Sequence, residues 1–164
     1  MSEIPRPQFG RLLRRPDMLL AFGFGSGLSR WAPGTLGSLV GVICYIPLSH
    51  LPNMWYLIVV ASAFALGVWI CGSTATTLET HDHPGIVWDE FVGIWVTFIA
   101  LPSHPLWLLA GFGLFRLFDI LKPWPVGPID RQLGGGFGIM ADDLVAGLMA
   151  LAVLQGAALG LGVV

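Results

Sequence analysis

Residues 54–71 read MWYLIVVASAFALGVWIC. No charge interrupts the run, and it lacks the strict polar–apolar alternation of a strand that faces lipid on one side and a lumen on the other. A helix crossing a bilayer needs about 20 predominantly apolar residues, within a range of about 17 to 25. The stretch therefore predicts a spanning helix. A second charge-free run, Leu144–Val164, meets the same requirement.

Three shorter apolar segments lie around these two: Leu36–Leu51, which contains Pro47; Phe91–Leu101; and Leu106–Leu121, interrupted by Arg116 and Asp119. Short segments can sit in a bilayer through local thinning or burial inside a bundle. The expected fold is all-α: a polytopic membrane helical bundle of about five membrane-embedded helices. A glycine-rich N-terminal loop precedes it, and residues 1–164 form one domain.

Composition agrees. Of 164 residues, 55% are hydrophobic and 11% charged, against roughly 25% charged in a soluble domain. Mean hydropathy is +0.77. Five of the eight basic residues, Arg6, Arg11, Arg14, Arg15 and Arg30, fall in the first thirty positions. A nucleic-acid-binding domain needs a broad basic face, so nucleic acid is excluded as a partner. The apolar stretch Met18–Leu28 is broken by three glycines and a serine, which argues for a cytoplasmic anchor over a cleaved signal. Cys44 and Cys71 sit in apolar runs outside any CxxC motif and read as buried and unpaired.

The charges test the topology. With a cytoplasmic N-terminus, five crossings put all the charged residues at one face. The outer turns, at Pro52-Asn53 and at Pro102–Pro105, carry none. Any chemistry then works at the inner leaflet.

Seven acids lie between positions 82 and 143: Asp82, Asp89, Glu90, Asp119, Asp130, Asp142 and Asp143. Charge beside lipid is costly and usually kept for function. Gathered carboxylates suit a hard divalent cation such as magnesium, manganese or calcium. His81-Asp82-His83 does not match zinc spacing. Asp89-Glu90 and Asp142-Asp143 each read as metal ligands or, more simply, as helix N-caps. Arg116, Asp119 and Lys122 recur every three residues on one helix face. They are either an ion pair with a snorkelling lysine or a ligand flanked by phosphate-binding cations. Asp130-Arg131 precedes the glycine run at 134–138. In the loop GFGSGLSRWAPGTLGS, residues 23–38, backbone amides together with Ser26, Thr35 and Ser38 can cradle a phosphate, or the glycines can serve close helix packing. The pattern is metal-assisted chemistry on a phosphorylated substrate. An acidic cation site in a channel or transporter subunit is the rival, although such sites usually sit nearer the membrane midplane.

That loop, with IVWDEFVG at 86–93, FRLFDILKPWPVGPIDR at 115–131 and GGFGIMADDLVAG at 135–147, resembles the phosphatidylglycerophosphatase A family. The four motifs occur in the family's order and cover most of the chain. The resemblance implies a magnesium-dependent, multi-pass lipid phosphatase of the bacterial inner membrane. Its phospholipid substrate would be phosphatidylglycerol phosphate and its product phosphatidylglycerol. It carries over Asp89, Glu90, Asp119, Asp142 and Asp143 as the acidic motif positions, and Arg116, Lys122 and Arg131 as the basic ones. Catalysis is expected from Asp89, Glu90, Asp119, Lys122, Asp142 and Asp143. Metal-activated water and an aspartyl-phosphate on Asp119 or Asp89 both remain open as the route.

Overall fold

The structure, a computed structural model, describes residues 6–80 and 83–163, and every regular element among them is helical. Asp82, with its neighbour His81, lies outside the described residues.

Two short helices, α1 (Phe9–Leu13) and α2 (Pro16–Ala21), lead into a 3-10 turn at Gly23–Leu28. Gly25 has φ of 102°, which L side chains rarely adopt. The other loop glycines serve contact. A side chain at Gly27 would strike the Gly85 backbone, and one at Gly23 would strike Val87 and Phe91. Helix α3 (Pro33–Leu48) follows, then α4 (Asn53–Thr77), α5 (Trp88–Thr97), α6 (Pro105–Leu121), α7 (Val126–Gln132) and α8 (Gly135–Leu161).

Of the five expected segments, two form helices long and apolar enough to cross a membrane, α4 with 25 residues and α8 with 27. Helices α3 and α6 have 16 and 17 residues. The shortest segment has a different explanation. Nearly every residue of α5 is buried, from Trp88 to Thr97, with Asp89 alone half-buried. A helix apolar all round belongs inside a bundle, and α5 is the post that the others surround.

Small residues let them come close. Gly41 of α3 faces the backbone of Phe91, Gly147 of α8 lies against the Gly93 carbonyl, and Gly136 of α8 against Val68 and Gly72 of α4. Three buried polar groups on α5 are hydrogen-bonded across helices. Trp95 Nε1 donates to the Gly41 carbonyl at 2.9 Å, Trp88 Nε1 to Ala63 at 3.0 Å, and the Trp95 carbonyl accepts from Tyr56 at 2.6 Å. The outward faces are apolar: Ile43 and Ile46 on α3, Ile58 and Trp69 on α4, Leu109 and Leu117 on α6, and Leu148 and Leu159 on α8 are all exposed. Such a belt suits lipid better than water.

The connections bring the first turns of α3 and α5, the last turn of α6 and the early turns of α8 to one end of the bundle. The charged motifs meet there.

Candidate active site

Asp89 and Glu90 occupy the second and third positions of α5. The Asp89 carboxylate accepts from the Glu90 amide at 3.1 Å, so it partly closes the helix end. Glu90 turns inward. Asp142 and Asp143 stand about two turns inside α8, which begins at Gly135 and not, as the hydropathy suggested, near Leu144. Their position excludes the N-cap reading, because a cap residue sits outside the first turn. The glycine run from Gly135 is itself helical, and Gly136 within it lies against Val68 and Gly72 of α4.

Side-chain oxygens of Asp89, Glu90 and Asp143 come within 4.8 Å of one another. Glu90 and Asp143 are 9% and 3% exposed. One oxygen of each, Glu90 Oε2 and Asp143 Oδ2, is buried with no hydrogen-bond partner. Burying unsatisfied carboxylate oxygens side by side is costly. An all-oxygen donor set of this kind fits a hard divalent cation. Of the five acids expected to hold metal, these three converge directly.

The other two are held by cations. Arg116 Nη1 donates to Asp119 at 2.5 Å, lies 3.9 Å from Glu90 Oε1, and donates to Ser38 Oγ at 3.4 Å. Its Nε–H is buried and unpartnered. Lys122 Nζ contacts Asp130 at 2.5 Å and Asp142 at 2.8 Å. Partial burial works against the ammonium, yet the bonds to Asp130 and Asp142 outweigh it and hold the Lys122 pKa above the ordinary lysine value. Lys122 does not continue the helical stripe with Arg116 and Asp119. It is the left-handed C-cap of α6, with φ of 43°, and this turn aims it at α7 and α8. Sequence spacing offered no sign of the Lys122–Asp130 pair.

The expected phosphate-binding residues divide. Ser38 faces the cluster, donating to the Gly34 carbonyl at 2.8 Å and accepting from Arg116. Thr35 is half-buried in the first turn of α3. Neither caps that helix, whose N-cap is Ala32 in the left-handed region. Among the described residues, the Ser26 hydroxyl bonds the Gly23 carbonyl at 2.9 Å instead of a member of the cluster. Arg131 is exposed in the last turn of α7. Sequence reading overlooked Gly34: a Cβ there would press on Glu90 Oε1 and the Arg116 guanidinium. Only glycine lets the positive end of α3 come this close to the cluster.

Comparison with known proteins shows the family. A family model described as phosphatidylglycerophosphatase A matches residues 19–158. A protein of Escherichia coli K12 named phosphatidylglycerophosphatase A is 46% identical over 143 residues, which cover 87% of this chain and 83% of that one. A Haemophilus influenzae protein of the same name is 50% identical over 144 residues, 87% of this chain and 88% of that one. A Bacteroides thetaiotaomicron protein named putative phosphatidylinositol-3-phosphatase is 35% identical over 156 residues, 87% of this chain and 95% of that one. No solved structure matches the chain. With the match running through every motif that builds the acidic cluster, the chain belongs to the phosphatidylglycerophosphatase A family.

Proposed function

We propose that this chain hydrolyses phosphatidylglycerol phosphate to phosphatidylglycerol and inorganic phosphate, with magnesium held by Asp89, Glu90 and Asp143, at the cytoplasmic leaflet of a bacterial inner membrane. The observation that carries the proposal is that the acidic cluster holds two buried carboxylate oxygens without hydrogen-bond partners, while Arg116, its neighbouring cation, has a buried Nε–H that is also unpartnered. One side suits a divalent cation and the other a phosphate oxygen. Magnesium supplies Lewis-acid polarisation and screens phosphate charge.

The chain's own residues do the rest. Arg116, steadied by Asp119 and Ser38, binds a phosphate oxygen and stabilises charge that develops in the transition state. The amino ends of α3 and α5 add their positive dipole ends. Lys122 pins Asp142 and Asp130, which locks α7 against α8 beside the site. Water attacks phosphorus, its proton passes to a carboxylate of the cluster, and the bond to the glycerol oxygen breaks as that oxygen takes the proton from the carboxylate.

The depth of the site supports a lipid headgroup over a transported ion. Asp142 is the eighth residue of α8, roughly 10–12 Å from the helix start at 1.5 Å per residue. On a helix of 27 residues, about 40 Å long at the same rise, that is nearer the end than the middle, away from the midplane typical of transporters. Helices α3, α5 and α6, embedded with the two long ones, complete a multi-pass bundle, and the basic flanks orient its charged end inward.

The experiment is phosphate release in detergent from phosphatidylglycerol phosphate and, separately, from a phosphatidylinositol phosphate. Release from the first should stop with EDTA and return with magnesium. Full activity in EDTA would remove the metal. Release confined to the inositol lipid would move the substrate to the class named for the Bacteroides relative.

A further inference from the structure

The acidic centre poses a problem for its own substrate. A phospholipid bearing a phosphate monoester is strongly anionic, and six carboxylates, Asp89, Glu90, Asp119, Asp130, Asp142 and Asp143, stand against two cations in the cluster. Like charges disfavour approach. Residues 6–31, just beside it, have the opposite character.

That segment carries five arginines against one acid, Asp17. Asp17 is already committed to Arg15, whose Nη2 lies 2.7 Å from its carboxylate. Arg6 is folded onto the Leu28 and Ser29 carbonyls. Arg11, Arg14 and Arg30 are exposed. Large apolar side chains are exposed among them: Phe9 at 51%, Leu13 at 62%, Phe24 at 53% and Trp31 at 85%. They are part of the folded structure. The Phe9 ring packs beside Gly25, and the Phe24 ring lies 6.4 Å from that of Phe91, one residue after Glu90.

The fold also fixes the depth of this segment. Ser73 of α4 donates to Asp17 at 3.1 Å, and Arg15 donates to Thr77, the last residue of α4, at 3.4 Å. Helix α2 is thus tied to the end of a helix long enough to cross the bilayer, at the end of the bundle that holds the acidic centre. Arginines interleaved with exposed aromatic and aliphatic side chains at that depth match the physics of an interfacial segment. The apolar groups enter the headgroup boundary and the cations draw anionic lipids.

We infer that residues 6–31 form a docking surface for anionic phospholipids, a basic collar that concentrates lipids of the substrate's charge next to a centre that would otherwise repel them. The inference rests on α4 and α8 crossing the membrane and is independent of which phosphate ester is cleaved.

The test uses full-length protein reconstituted in phosphatidylcholine vesicles containing phosphatidylserine, an anionic phosphodiester with no monoester to hydrolyse. Trp31 is read as the fluorescence difference between wild type and Trp31→Phe, with either the phosphatidylserine or an equal mole fraction of the phosphatidylcholine brominated. Vesicle flotation separately checks membrane insertion. Brominated phosphatidylserine should quench Trp31 up to about fivefold more than brominated phosphatidylcholine, the factor associated with one arginine beside an anionic surface. The excess should shrink as salt rises. It should vanish in the Arg11→Gln, Arg14→Gln, Arg30→Gln triple variant, whose changes are all at exposed positions. Equal quenching by both lipids at low salt would overturn the inference, as would an excess that survives in the triple variant. A Trp31 reached by neither lipid, as when another protein covers the patch, would overturn it too.

Discussion

Asp143→Asn should make the metal-free protein more stable and the enzyme nearly inactive. Asp143 is buried, one of its oxygens has no partner, and its carboxylate shares a 4.8 Å cluster with Asp89 and Glu90. Two unit charges at that separation repel by about 3.5 kcal/mol at an effective dielectric of 20. Less than the full repulsion is realised, because crowded carboxylates can also take up a proton. The amide is nearly the same size, removes one charge, and offers an N–H to the neighbouring acids. A realised gain of about 1 kcal/mol corresponds to roughly 2–4 °C in melting temperature for a chain of this length. Melting in detergent with EDTA, then across a magnesium titration, reads both effects. Wild type should melt lower in EDTA and rise with magnesium by linkage. The variant should start higher and respond little, with turnover down at least about 100-fold, since even outer-shell changes at metal sites cost roughly 10–100-fold. A variant that is less stable in EDTA yet keeps the full magnesium response would refute the reasoning, because the carboxylates would then be a hydrogen-bonded structural cluster and not a metal centre.

Arg116→Ala strips the counter-charge from Asp119 and Glu90, and breaking a buried pair this way costs about 3–5 kcal/mol; activity and melting temperature should fall together, and a variant that melts like wild type would show the pairing to be dispensable. Lys122→Ala leaves Asp130 and Asp142 without their shared cation, so activity should drop with the segment at 123–134 becoming protease-sensitive; resistance equal to wild type would deny the lock between α7 and α8. The third concerns acid. The hydrogen bond from Arg15 leads in holding the Asp17 carboxyl at about 2, below its ordinary 3.8, against an opposing push from burial. A lowered folded-state pKa gives stability that is present above about pH 4 and lost as pH falls towards 2. Asp17→Asn should flatten that part of the stability profile, and an unchanged profile would assign the acid sensitivity elsewhere.

How far the sequence reached differs from element to element. The charge-free runs at 54–71 and 144–164 identified α4 and α8, because hydropathy over about 20 residues is a local property of the chain. The start of α4 was legible to one residue, but that of α8 was not. The glycine run at 134–138 suggested no helix start by composition, yet residues 135–138 are helical, and the absent side chain at Gly136 lets α8 lie against Val68 and Gly72 of α4. The acidic pairs were visible as pairs, but whether they capped helices was not. Cap or ligand depends on where the helix begins, which packing decides.

By itself, then, the sequence determined the helical class, the two long apolar spans, the segregation of charge and the family motifs. Each is readable from residue type and local order. Tertiary structure decided that α5 is a buried post, that Asp143 joins Asp89 and Glu90, that Arg116 keeps a free Nε–H, and that Lys122 turns away to Asp130 and Asp142. These facts depend on contacts between residues dozens of positions apart, on a left-handed turn at Lys122, and on the gap left by Gly34. The physical reason is that a carboxylate's neighbours, and so its charge environment and its chemistry, are set by which helices pack together.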